Sequence, residues 1–166
     1  MPSAADTRAF LGGARLFRGI APPELDALGG SLRERGLRKG QVLFREGDPG
    51  EELFLVQRGT IVISKGVTGR VEQVLARIGP GDFFGEMALF DRAPRSATVQ
   101  AESDVTLLVL DRAALARLTE QSPRAAAAFF EALVRVFIER LRASGDLVAE
   151  VTRWGLEATG LDIESS

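Results

Sequence analysis

The 166-residue chain carries 21 basic and 23 acidic side chains, and this formal net charge of −2 is not the balance of a nucleic-acid-binding protein. It contains no cysteine and no histidine, which excludes disulfides, thiol redox chemistry and acid–base catalysis by histidine. The missing histidines also argue against a jelly-roll metalloenzyme, so no metal is expected. No apolar run reaches the roughly 18 residues of a membrane span, no signal pattern opens the chain, and a cytoplasmic location is expected.

Residues 1–31 are predicted to form an N-terminal helical segment. A helix over residues 9–17 is weakened by two glycines, each of which costs about 1 kcal/mol relative to alanine. A second helix is expected around Pro22, because proline fits the first helical turn. Gly29-Gly30 is expected to end that helix.

From residue 32 to residue 111 the pattern is that of short strands separated by glycine and proline turns. The predicted strands cover residues 32–37, 41–45, 52–57, 60–64, 70–78, 97–101 and 105–111. Many short strands at near-regular spacing are typical of a closed roll. With the flanking helices, the fold class predicted is α+β, an antiparallel β-roll (jelly roll).

Residues 112–154 are predicted to form C-terminal helices that act as a lid or a dimerisation element, and residues 155–166 a tail. Asp111 is expected to cap the first of these helices, and Ser122-Pro123 to start a longer one. Ser144-Gly145-Asp146 is a candidate interruption of the longer helix.

Two apolar lines run along the longer helix. One has the four-three-four spacing of a heptad seam and consists of Phe130, Val134, Phe137 and Leu141. The other consists of Phe129, Leu133 and Val136. One line is expected to pack on the roll and the other to meet a second copy of the chain, so a homodimer through this helix is expected.

The most informative stretch is residues 82–98, which predicts a short helix followed by a loop. Arg95 can offer two parallel charge-assisted hydrogen bonds to a phosphate, and Gly85 allows a ligand close to the backbone. The N–H groups at the start of the short helix, at residues 86–88, would carry partial positive charge. Ser96 and the Ala97 N–H could add donors beside Arg95. Glu86 would repel a phosphate but can accept a hydrogen bond from a ribose hydroxyl.

This stretch reads Phe84-Gly85-Glu86-Met87-Ala88-Leu89 and then Pro94-Arg95-Ser96-Ala97-Thr98. It closely resembles the phosphate-binding cassette of cyclic nucleotide-binding domains, as in catabolite-activator-type regulators, kinase regulatory subunits and cyclic-nucleotide-gated channels. The resemblance covers roughly residues 16–118. It implies that the ligand contacts are Phe84, Gly85, Glu86, Met87, Ala88, Arg95, Ser96 and Ala97, with the backbone of Met87 and Ala88 facing the ligand while their side chains pack.

The resemblance implies a non-enzymatic receptor for cAMP in which the C-terminal helix shifts to cover the base. In the family a threonine after the cassette arginine favours cGMP, and Ser96 at that position favours cAMP without excluding cGMP. Trp154 could stack on the purine or belong to a packed helix face. Residues 155–166 are too few for a helix-turn-helix, so DNA binding is not expected and an unknown protein effector would read the signal. The alternatives are a cGMP receptor and a protein-interaction module of the same fold that binds no ligand.

Overall fold

The computed structural model describes residues 3–158, which form four α-helices, eight β-strands and two short 3-10 helices. The α-helices are α1 (Ala4–Gly13), α2 (Pro22–Ser31), α3 (Arg112–Gln121) and α4 (Pro123–Ala158). The strands are β1 (Arg33–Leu37), β2 (Val42–Phe44), β3 (Glu52–Arg58), β4 (Ile61–Thr68), β5 (Val71–Ile78), β6 (Phe83–Phe84), β7 (Thr98–Ala101) and β8 (Val105–Asp111). The 3-10 helices cover Arg15–Phe17 and Glu86–Leu89. The chain divides into two compact units, Met1–Phe130 and Glu131–Ser166.

The first unit contains two four-stranded antiparallel sheets, with strand orders β1-β8-β3-β6 and β2-β7-β4-β5. Both sheets contribute side chains to one apolar core, which comprises Leu37, Phe54, Val56, Ile61, Phe84, Val99, Ala101, Val105, Leu107 and Val109. The antiparallel roll with its N-terminal helices and long C-terminal helix confirms the predicted fold class.

Strand β8 shows why residues 107–110 form a continuous apolar run rather than an alternating one. Val105, Leu107 and Val109 lie in the core between the sheets, while Leu108 and Leu110 on the opposite face are also buried. The strand ends at Asp111, whose Oδ1 accepts a hydrogen bond from the Ala114 N–H at 2.7 Å. The predicted helix cap at Asp111 is therefore confirmed.

The helices are longer than the sequence interpretation expected. α1 covers Ala4–Gly13 instead of residues 9–17. Its early start is explained by a capping box between Ser3 and Asp6, which the prediction overlooked. α2 runs through Gly29-Gly30, and α1 packs against it at Gly29, where a Cβ would make ordinary van der Waals contact with Thr7 and Leu11. α4 continues through residues 144–146 and past the predicted boundary at residue 154. Each of the two glycines in α4 costs the helix only about 1 kcal/mol, which its many other residues offset.

Candidate phosphate-binding site

The site begins where the short strand β6 leaves the sheet. Phe83 and Phe84 pair with β3, and the Phe84 ring stacks on Phe54 with centroids 5.2 Å apart. Gly85 follows with φ of +78°, and the 3-10 helix starts at the next residue. A Cβ on Gly85 would lie 2.9 Å from the Glu52 carbonyl oxygen and 3.0 Å from Arg95 Nη1. Both the backbone angle and the lack of space therefore require glycine.

Arg95 is buried, with only 8% of its surface exposed. Its Nη1 and Nη2 both donate to the backbone oxygen of Glu52 at 3.2 Å. The guanidinium carbon lies 4.2 Å from the centroid of the Phe44 ring and 5.6 Å from that of Phe54. The third nitrogen, Nε, is buried and has no hydrogen-bond partner among the described residues. Arg95 is thus a desolvated cation held against a carbonyl and two aromatic faces.

The electrostatics of Arg95 follow from this placement. Burial lowers the pKa of the Arg95 guanidinium, and the nearby Glu52 charge partly opposes that effect. No carboxylate in residues 3–158 comes within ion-pair distance of Arg95, and the Glu52 carboxylate is instead paired with Arg33. A carbonyl and an aromatic ring offset only part of the cost of burying a charge. An anion in contact with Arg95 would supply the missing compensation.

A cavity of about 590 Å³ adjoins Arg95 on the side of the loop before β3. Its lining comprises Arg35, Leu43, Phe44, Asp48, Pro49, Gly50, Glu51, Glu52, Phe54, Arg95, Asp111 and Ala113. Of the predicted ligand contacts it contains only Arg95, and its four carboxylates outnumber its two cations. This balance of charges disfavours an anion in the cavity.

The eight predicted contact residues do not share one environment, since some are buried and others exposed. Gly85 and Arg95 are brought together, and Glu86 is buried beside them in sequence, with 7% of its surface exposed. The remaining buried residues of the set are Phe84, Ala88 and Ala97. Ser96 is exposed, and none of these side chains apart from Arg95 lines the large cavity.

The expectation for Met87 was wrong. Its side chain is 62% exposed instead of packed, because the four-residue 3-10 helix turns Glu86, Ala88 and Leu89 inward. The Ala88 N–H donates to the Gly85 oxygen at 3.2 Å, so it is not the outward-pointing donor that the sequence suggested.

The sequence interpretation missed four residues around the site. Phe44 supports the Arg95 guanidinium, and Gly50 leaves room for it, since a Cβ there would overlap the guanidinium. Glu51 forms an ion pair with Arg112 at 3.3 Å. Arg112 could have been noticed from the sequence, because an arginine in the first turn opposes the helix dipole and calls for another explanation.

Within residues 3–158 no helix is long and apolar enough to cross a membrane. The same part of the chain contains no group of three or more His, Cys, Asp or Glu residues that could hold a metal ion.

The second unit, taken by itself, is the remainder of α4 and presents a row of exposed apolar side chains. Members of the predicted heptad seam in this unit are exposed, Phe137 at 36% and Leu141 at 74%. Trp154 is 68% exposed, so no described residue buries its ring. Phe130, the first member of the seam, belongs to the first unit, where its ring lies 6.0 Å from that of Phe90.

The described residues thus combine an antiparallel roll with a glycine, a short helix and a buried arginine on its wall. The family model of the cyclic nucleotide-binding domain matches residues 34–122. The chain therefore belongs to the cyclic nucleotide-binding domain family.

Individual relatives agree on this domain but differ in what surrounds it. A CRP-like cAMP-activated global transcriptional regulator of Mycobacterium tuberculosis is 30% identical over 86% of this chain and 62% of its own length. An acetyltransferase of Mycolicibacterium smegmatis is 36% identical over 81% of this chain and 39% of its own length. The solved N-terminal domain of a transcriptional regulator from Streptomyces coelicolor A3(2) superposes with a TM-score of 0.72 at 34% identity, covering 84% of this chain and 94% of that one. The chain thus spans less than two thirds of the length of these curated relatives.

Proposed function

We propose that this chain is a cAMP receptor module in which Arg95 and Gly85 hold the cyclic phosphate. The observation that carries the proposal is the burial of Arg95 with no carboxylate partner and no acceptor for its Nε among residues 3–158. A single phosphate charge at this point would relieve the desolvation of the cation and accept its free donor. The cAMP-activated regulator among the relatives supports the same ligand class.

The other cassette residues complete the proposed site. Glu86 is a buried carboxylate at the start of the short helix, suited to accept a hydrogen bond from the ribose 2′-hydroxyl. Ser96 follows Arg95 directly and would lie beside the phosphate. In the family a threonine at that position favours cGMP, and the serine here supports a preference for cAMP. The backbone of Met87 and Ala88 and the Phe84 and Ala97 positions would form the remaining wall.

The output of the module is proposed to pass through α4. Its exposed apolar face could cover the base, with Trp154 as the aromatic candidate, or meet a second copy of the chain as a homodimer. A ligand shifts such a helix only by its difference in affinity for two positions of it. The relatives pair this domain with different outputs, and the effector of this chain is proposed to be a protein partner rather than DNA. The module itself is proposed to be non-enzymatic.

Isothermal titration calorimetry with cAMP and with cGMP tests the receptor. The wild type should bind cAMP more tightly than cGMP, and Arg95→Ala should lower the affinity at least tenfold, as expected for the loss of a charge-assisted hydrogen bond of about 1.5–3 kcal/mol. Arg92→Ala is the matched control, because Arg92 is an exposed arginine in the same loop. Wild-type protein that binds neither nucleotide at millimolar concentration would overturn the proposal.

One observation favours a second candidate, a protein-interaction module that binds no nucleotide. Both terminal nitrogens of Arg95 are already bonded to the Glu52 oxygen, so the side chain is partly satisfied without ligand. In that case the calorimeter would show no heat with either nucleotide, while Arg95→Ala would lower the free energy of unfolding.

A further inference from the structure

Arg112 joins three separate parts of the first unit. Its Nε donates to the Leu89 oxygen at 3.2 Å, and its Nη2 donates to the Ala88 oxygen at 3.0 Å. Its Nη1 lies 3.3 Å from Glu51 Oε1, and its backbone N–H donates to the Glu51 oxygen at 3.1 Å. We call the 3-10 helix Glu86–Leu89 the cassette helix. Arg112 therefore connects the end of the cassette helix, the loop before β3 and the first residue of α3.

The position of Arg112 is unfavourable for α3 alone. It is the first residue of the helix, where the aligned peptide dipoles favour negative charge, and α3 has no acidic residue in its first turn. At the C-terminal end of the cassette helix, where the guanidinium binds, the electrostatic preference is reversed. The last carbonyl groups of a helix are left without intrahelical donors, and a cation there is favourable. The placement of Arg112 is thus explained by the cassette and not by the helix that contains it.

The two carbonyl contacts matter more than the ion pair. The Glu51 side chain is 65% exposed, and an ion pair with so exposed a partner contributes little because water screens it. Ala88 and Leu89, in contrast, are buried, so their carbonyl groups depend on protein donors. Loss of the Arg112 guanidinium would leave two buried acceptors without their donor.

We propose that Arg112 is a positioning residue that makes the cassette helix and the first turn of α3 move as one element. A shift of Ala88 and Leu89 pulls on the guanidinium, and the guanidinium is attached to the residue at which α3 begins. Its role in signalling, which rests on the proposed function, is to carry ligand occupancy of the cassette to α3. The mechanical link itself exists without ligand and can be measured without it.

Amide hydrogen exchange in the ligand-free protein tests the link. Arg112→Met keeps the length of the side chain and removes its donors, and Arg117→Met on the exposed face of α3 is the matched control. Arg112→Met should accelerate exchange about tenfold or more in peptides from both the cassette helix and the first turn of α3. Arg117→Met should leave both within twofold of wild type. Acceleration in only one segment, or in neither, would overturn the proposal.

A second variant guards against misfolding of the first. Arg112→Lys keeps the charge but offers one compact ammonium group instead of a planar fork, so it should bridge the two carbonyl groups less well. Its exchange rates in both segments should fall between those of the wild type and Arg112→Met. Rates equal to wild type in both segments would contradict a role for the fork.

The transmission role is tested by repeating the hydrogen-exchange measurement with saturating cAMP. Wild type should change its exchange in both segments, whereas Arg112→Met should retain the change in the cassette and lose most of it in α3. An unchanged α3 response in that variant would refute the transmission role. If calorimetry shows that wild type binds neither nucleotide, the receptor proposal fails alone, since the ligand-free comparison still decides the role of Arg112.

Discussion

Gly50→Ala is expected to disturb the ligand site while leaving the fold intact. A Cβ at this position would come closer than 3.0 Å to Nε, Cζ and Nη2 of Arg95. The guanidinium must then retreat by about 1 Å or more to regain ordinary van der Waals distance. Because it sits at the end of a flexible side chain, it can do so, but it would give up its bonds to the Glu52 oxygen and its place over Phe44.

The two measurable effects should differ in size. Gly50 has no left-handed backbone angle, so alanine there should gain about 0.4–1 kcal/mol from the reduced entropy of the unfolded chain. The displaced cation would lose an aromatic contact worth about 0.5–2 kcal/mol and hydrogen bonds to the Glu52 oxygen worth about 0.5–1.5 kcal/mol each, and the hydration that it recovers would offset most of this loss. The net change in unfolding free energy should therefore stay within about 1 kcal/mol. Affinity for cAMP should fall at least tenfold, because the phosphate donor has moved.

Calorimetry and denaturant unfolding measure these two quantities on the same sample. Gly79→Ala is the matched control, since nothing lies within 4 Å of its Cβ, and it should leave cAMP affinity unchanged. The double variant Gly50→Ala/Arg95→Ala should bind no more weakly than Arg95→Ala alone, because both changes act through one guanidinium. Affinity within twofold of wild type in Gly50→Ala would refute the reasoning, since the observed position of Arg95 would then be irrelevant to binding.

Three further changes address the helix face, the ligand preference and a helix cap. Phe137→Asp should convert a dimer into monomers in sedimentation velocity. Arg142→Asp, an exposed control on the same helix, should leave the dimer intact. A dimer that persists in Phe137→Asp would exclude the heptad seam as the dimer interface. Ser96→Thr should raise the ratio of cGMP to cAMP affinity in calorimetry, and a ratio equal to wild type would remove this position from the specificity argument. Asp111→Ala deletes the acceptor of the Ala114 N–H and should lower the free energy of unfolding, measured in urea, by about 1 kcal/mol. An unchanged free energy of unfolding would contradict the role of Asp111 as a cap.

The parts of the fold that depend on local signals could be predicted from the sequence. Asp111 caps α3 with its own side chain, and the β-branched run at the start of β4 forms a strand at its predicted position. Helix ends were less accurate because packing decided them. Gly29 stays helical because α1 packs closely against it, a fact that no window around Gly29 contains.

The candidate site could be predicted in composition but not in arrangement. Gly85 and Arg95 stand out because their residue types suit a phosphate, and the structure brings them together. The partners of Arg95 could not be found in this way, because Phe44 and Gly50 lie in distant parts of the sequence and contact it only after folding. Arg112 escaped notice because its contacts are to backbone oxygens, which every residue type carries.

The burial of Arg95 has a consequence for how this chain changes under mutation. An apolar residue of similar volume would avoid the desolvation cost of the cation. Drift that preserved only folding would therefore tend to discard this arginine. On the proposed function, the presence of Arg95 reflects selection for anion binding at the expense of the stability of the empty protein.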